Sequence, residues 1–159
     1  NKKIDLRQVI QRLEPKQKSQ KQSFDIWIAE PFNFAVEFDE SQHFNQFRLK
    51  TLKYYQDFKV NFSVPDYQNY NQTEIKASTS GFAKLKSKDP LFPPMLPGEK
   101  QDNRIRQRAF RDFLKDILPL ENDFNPTLRI PYHVTNKKIK DFTDEDLQQI
   151  GLYVRRFVF

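Results

Sequence analysis

The feature that most constrains this chain is a pair of short alternating apolar runs, Phe24 to Ala29 and Phe34 to Asp39, separated only by Glu30, Pro31, Phe32 and Asn33. Runs of this length, rich in Phe, Ile, Trp and Val, read as the two strands of a hairpin. Side chains alternate along a strand, so Glu37 and Asp39 share one face while Phe34, Val36 and Phe38 take the other. Asp25 joins the two acids only if the loop has an odd number of residues, as three- and five-residue hairpin loops do; an even loop turns it to the opposite face. With the odd register, three carboxylates crowd one patch, which repels itself unless a cation or an arginine sits in it.

Glu40-Ser41-Gln42-His43-Phe44 follows the second strand, and Phe44, Phe47, Arg48, Leu52 and Tyr55 then fall in a helical pattern. The stretch VEFDESQHFNQFRLKTL resembles the I-E-x-D-G-x-x-H, then R-x-x-x-L signature of nucleases related to the very-short-patch repair endonuclease, within the PD-(D/E)XK superfamily. On that resemblance Asp25 matches the metal-binding aspartate of the first strand, Glu37 and Asp39 the acids of the second, His43 the histidine and Arg48 the helix arginine. Glu40 stands where the family has glycine, and Asp39 stands where the superfamily has its lysine. Further on, RQRAFRDFLKDILPLENDFNPTLRI resembles part of a group of uncharacterised bacterial proteins that also carry an FDExQHF segment.

The resemblance implies an α/β (α+β) fold, a central mixed sheet flanked by helices in restriction-endonuclease-like fashion, and a Mg²⁺-dependent (or Mn²⁺-dependent) endodeoxyribonuclease active in restriction, repair or phage defence. Asp25 and Glu37 would be the metal ligands, with Asp39 a third ligand or a water-orienting group. The pKa of His43 suits proton transfer near neutral pH, and Arg48 would brace a carboxylate or hold a phosphate. The competing reading is a nuclease-like module that grips nucleic acid or a protein partner without cutting it. Homodimers or larger assemblies stay open.

Composition bounds these readings. The 159 residues suit one domain, and 16 Phe supply bulk to a chain that is only 37% hydrophobic. The net charge of +6 understates the basic surface outside the acidic hairpin, which favours a polyanionic partner such as DNA or serves only solubility. The absence of cysteine excludes disulfides, zinc thiolates and cysteine nucleophiles. No apolar run approaches the roughly 20 residues of a membrane span, and no signal peptide opens the chain, so a soluble cytoplasmic protein is expected.

Elsewhere, Ile4, Leu6, Val9, Ile10 and Leu13 suggest an N-terminal helix ended by Pro15, with Glu14 a further acid near the site or a solvated helix end. Lys59 to Val64 reads as a third strand, and residues 66–102 as a long loop or insertion in which Tyr67, Tyr70 and several lysines could meet bases and phosphates. Asp102 is positioned to cap a helix with Ile105, Ala109, Phe113, Leu114, Ile117 and Leu118 on its apolar face, ending at Pro119. Its other side carries Arg104, Arg108, Arg111 and Lys115, a basic stripe that either contacts DNA backbone or pairs with Asp112 and Asp116. Pro126 to Val134 reads as an edge strand interrupted by Pro131, with His133 a packing or surface residue. Thr143 with Asp146 forms a capping box for the last helix, and Phe142 with Leu147 a staple.

Overall fold

The computed structural model describes residues 23–74, 91–93, 96–98 and 102–158. The expected N-terminal helix, Glu14 and the lysines between 75 and 90 lie outside them.

Strand β1 (Ile26–Ile28) runs antiparallel to β2 (Phe34–Asp39), and β3 (Leu128–Pro131) runs parallel to β2 on its other side, giving a three-stranded mixed sheet in the order β1-β2-β3. Between β2 and β3 the chain makes α1 (Gln46–Thr51), α2 (Val64–Glu74) and α3 (Asn103–Glu121); α4 (Asp144–Val158) closes the fold. A mixed sheet flanked by helices is therefore present.

Ile26 pairs with Val36 and Ile28 with Phe34, so five residues, Ala29 to Asn33, make the turn, and the odd register holds. Asn33 takes a left-handed φ of 44°, a conformation asparagine tolerates, and Asn125 clasps the turn by donating to the Asn33 and Phe32 carbonyls.

Phe34, Val36, Leu128 and Ile130 project from one face of the sheet onto Tyr153, Ile150 and Val154 of α4. Each large aliphatic side chain buried there contributes roughly 1.5–3 kcal/mol. The predicted capping box forms: Asp146 N donates to Thr143 Oγ1, and Thr143 N and Oγ1 donate to Asp146 Oδ2 at 2.7 and 2.6 Å. Leu147, the expected staple partner of Phe142, is 56% exposed. A second core joins Phe44, Leu52, Tyr55, Phe62 and Tyr67 beside the sheet.

Several expectations are corrected. Lys59 to Val64 is no strand; only Asn61 bridges Leu128. Ser63 Oγ accepts from Asp66 N, and α2 begins at Val64 with Pro65 in its first turn, a start that the fixed φ of proline favours. Part of the expected 66–102 loop is thus helix, in which Tyr67 is buried and Tyr70 stacks on His133 at 3.8 Å rather than facing solvent. His133 also has an acid near it, Glu74 at 3.5 Å. Asp102 precedes α3 but bonds the Arg106 side chain instead of a helix N–H, and α3 runs through Pro119 to Glu121.

Candidate functional site

The second face of the sheet carries Glu37, Asp39 and Arg129, and α3 covers it with Asp112, Lys115 and Asp116. All of these except Lys115 are at most 2% exposed. The helix face that apolar periodicity assigned to Ile105, Phe113 and Leu114 is shared with acids, because the sheet opposite presents a buried arginine that needs counter-charge.

Arg129 organises this layer. Its Nη1 donates to both oxygens of Asp39 at 2.7 and 2.9 Å, its Nε to Asp116 Oδ1 at 2.5 Å, and its Nη2 to the Asp112 main-chain carbonyl at 2.9 Å. Tyr67 donates to Asp39 Oδ2. Arg48 meets Asp116 Oδ2 at 2.8 Å and Tyr55 at 2.7 Å. Arg48 is 1% exposed, which corrects its assignment to DNA: it braces a carboxylate and has no surface to offer a phosphate.

One step beyond the Ile26–Val36 pair, Asp25 comes beside Glu37. Asp25 N donates to Glu37 Oε1 at 3.3 Å, and Phe38 N donates to Asp25 Oδ2 at 2.9 Å. Lys115 Nζ donates to both oxygens of Glu37 at 2.8 and 2.7 Å. Lys115 is thus engaged with a carboxylate rather than open to DNA backbone, a second correction. Burial pushes the Glu37 carboxyl above its usual value, and the negative charge of Asp25 adds to this, while Lys115 and Arg129 oppose it.

The expected trio of carboxylates is divided. Arg129 draws Asp39 away from Asp25 and Glu37, and the residues that converge with Asp39 are His43 and Asp112, whose ligand atoms all lie within 4.8 Å of one another. That buried group could hold a metal ion. His43 Nδ1 stands 3.0 Å from Asp112 Oδ2 and 3.3 Å from Asp39 Oδ1, so a proton carried on Nδ1 points between the carboxylates. His43 is therefore placed with Asp39 and Asp112, not with the Asp25 and Glu37 pair it was expected to adjoin.

Burial works against a charged His43, but Asp112 and Asp39 outweigh it and raise the ring above its ordinary value of 6.5. Burial alone would raise Asp112, yet the His43 and Arg129 charges hold it below the usual carboxylate range. Arg108 Nη1 lies 3.0 Å from His43 Nε2 and donates to it when the ring is neutral. A raised folded value means that the stability from protonated His43 is fully present below pH 6.5 and is lost as pH rises through the folded value. An NMR titration is expected to give a His43 midpoint above 6.5 that falls in Asp112→Asn; a wild-type midpoint below 6.5 contradicts this.

The rest of the basic stripe is half-buried along α3. Arg104 donates to Gln107 at 2.6 Å. Burial, then the neighbouring Arg104 charge, lower the Arg108 guanidinium from its usual value. Neither Asp112 nor Asp116 turns to this stripe for its close ion pairs; their partners are His43, Arg48 and Arg129.

Sequence reasoning missed Arg129, Asp112 and Asp116 as site residues. An arginine between Leu128 and Ile130 in an apolar strand, and two acids four apart on a basic helix, were the available signals.

Among the described residues no helix is long and apolar enough to cross a membrane. No curated protein and no solved structure matches the chain. A family model described as a family of unknown function matches residues 5–145, most of the sequence. The chain belongs to the DUF7255 family.

Proposed function

We propose that this protein is a metal-dependent endonuclease that hydrolyses phosphodiester bonds in DNA, on a restriction-endonuclease-like arrangement of sheet and helices. The observation that carries the reading is the meeting of Asp25 and Glu37 across neighbouring strands, with Lys115 on both oxygens of Glu37. Two carboxylates form an all-oxygen donor pair, which suits a hard cation such as Mg²⁺ or Mn²⁺. Asp25 and Glu37 would hold it. When bound, the ion would stabilise charge on a phosphoryl oxygen and acidify a water molecule.

The other roles fall to side chains of this chain. Lys115 supplies the ammonium that the strand itself lacks, since Asp39 takes the position of the superfamily's lysine. It orients a water molecule beside Glu37. His43, held at Nδ1 by Asp112 and Asp39 and met at Nε2 by Arg108, stands apart from the Asp25 and Glu37 pair and holds those charged side chains in place. Arg104, Arg108 and Arg111 serve the DNA backbone.

A second reading, a nuclease-like module that binds without cutting, draws on the same ion pairs: Lys115 on Glu37 and Arg129 on Asp39 balance those acids without a metal. Incubation of supercoiled plasmid with the protein and Mg²⁺ or Mn²⁺ separates the two. Nicking that EDTA abolishes is the expected result. Salt-sensitive DNA binding without nicking in either metal supports the binding module. Neither nicking nor binding overturns both readings.

A further inference from the structure

Asp39, His43 and Asp112 converge apart from the Asp25 and Glu37 pair. Asp39 ends β2, and a single 3₁₀ turn, Ser41–His43, returns the imidazole to it, while Asp112 arrives from α3. Both aspartates are at most 2% exposed, and the His43 side chain is 17% exposed, so the group is shielded from solvent without being sealed.

Spacing, charge and spare acceptor capacity each favour a cation here. Nitrogen and oxygen ligands of zinc lie about 2.0–2.2 Å from the ion, so neighbouring ligand atoms stand about 3.0–3.5 Å apart at octahedral or tetrahedral angles. The 3.0 and 3.3 Å from His43 Nδ1 to the two carboxylate oxygens fall in that range. Among the buried groups of this layer Asp39, Asp112 and Asp116 face two arginines, Arg48 and Arg129, with Glu37 matched by Lys115. The surplus is negative. Asp112 Oδ2 meets His43 and Asp39 Oδ1 accepts from Arg129, and a carboxylate oxygen has two lone pairs to offer. One imidazole nitrogen beside two carboxylates suits a borderline ion of the zinc class better than Mg²⁺.

We propose that this group binds one divalent ion of the zinc class through His43 Nδ1, Asp39 Oδ1 and Asp112 Oδ2, tying β2 to α3. The ion takes the place of the proton on Nδ1, and the bound ring is the neutral tautomer with its proton on Nε2. Arg108 Nη1 lies 3.0 Å from Nε2. Two donors cannot share that contact, so Arg108 turns from the ring when the ion binds. The site is separate from the Asp25 and Glu37 pair and does not depend on the nuclease reading.

The test is a Zn²⁺ titration followed by ¹⁵N NMR of the imidazole nitrogens; the chain has two histidines, so His43 and His133 are readily told apart. One equivalent of Zn²⁺ should shift His43 Nδ1, leave Nε2 protonated and leave His133 in place, whereas excess Mg²⁺ moves neither ring. Asp112→Asn should weaken Zn²⁺ binding by more than about a hundredfold, beyond what the loss of an outer partner costs. Arg108→Ala removes the opposing donor and its charge and should strengthen binding about tenfold, the opposite of what a merely supporting arginine would give. Asp25→Asn should leave the His43 shifts unchanged. Circular dichroism checks the fold of each variant, and if Asp112→Asn does not fold, wild type and Arg108→Ala decide. A His43 Nδ1 that stays protonated in excess Zn²⁺ overturns the proposal, as does weaker binding by Arg108→Ala or loss of the His43 shifts in Asp25→Asn.

Discussion

Asp25→Asn and Glu37→Gln are each expected to lower Mg²⁺-dependent plasmid nicking by about a thousandfold while leaving the protein folded. The magnitude follows from the several kcal/mol of charge stabilisation that a held cation supplies, about 1.4 kcal/mol being tenfold in rate. Folding should survive for reasons particular to each position. Asp25 is exposed. Glu37 is buried, but burial already favours its neutral form, and Gln supplies a neutral group of the same shape. Lys115, left without its carboxylate, has a side chain 16% exposed and can turn its ammonium to water. Nicking rates beside circular dichroism and thermal melting check both halves of the expectation. If Asp25→Asn nicks as fast as wild type, hydrolysis does not run through this pair, and the Asp39, His43 and Asp112 group becomes the site to examine.

Arg129→Met should have the largest effect on stability, a loss of about 3–5 kcal/mol, which is typical when one partner leaves a buried ion-pair network. The Arg129 side chain is 0% exposed, so water cannot replace it. Without it, among the described residues, Asp39 keeps Tyr67 and His43, Asp116 keeps Arg48 and Tyr55, and the Asp112 carbonyl loses a donor. Methionine fills part of the volume and none of the charge. Urea denaturation gives the difference directly. A loss under about 1 kcal/mol would mean that the carboxylates neutralise one another by taking up protons, contrary to the depressed Asp112.

Much of the local structure was legible in the residues. The alternation in Phe34 to Asp39 separated the acidic from the apolar face, and β3 stops at Pro131 because proline has no N–H to continue a ladder. The capping box at Thr143 was readable because cap and acid are three residues apart. The readings of the site that failed involve partners far along the chain. Arg129 and Asp39 are 90 residues apart, and Lys115 and Glu37 are 78. Periodicity treats a charged residue on a helix as facing water, so it carries no sign that Asp112, Asp116 and Arg48 are buried.

The sequence by itself determined the β1–β2 hairpin, the Thr143 capping box, and that two acids share a strand face, because those depend on neighbours within a few residues. Only the tertiary structure decided which charges meet. Packing α3 on the sheet sends Arg129 to Asp39 and Lys115 to Glu37, and with water excluded each buried charge must find an opposite one at contact distance.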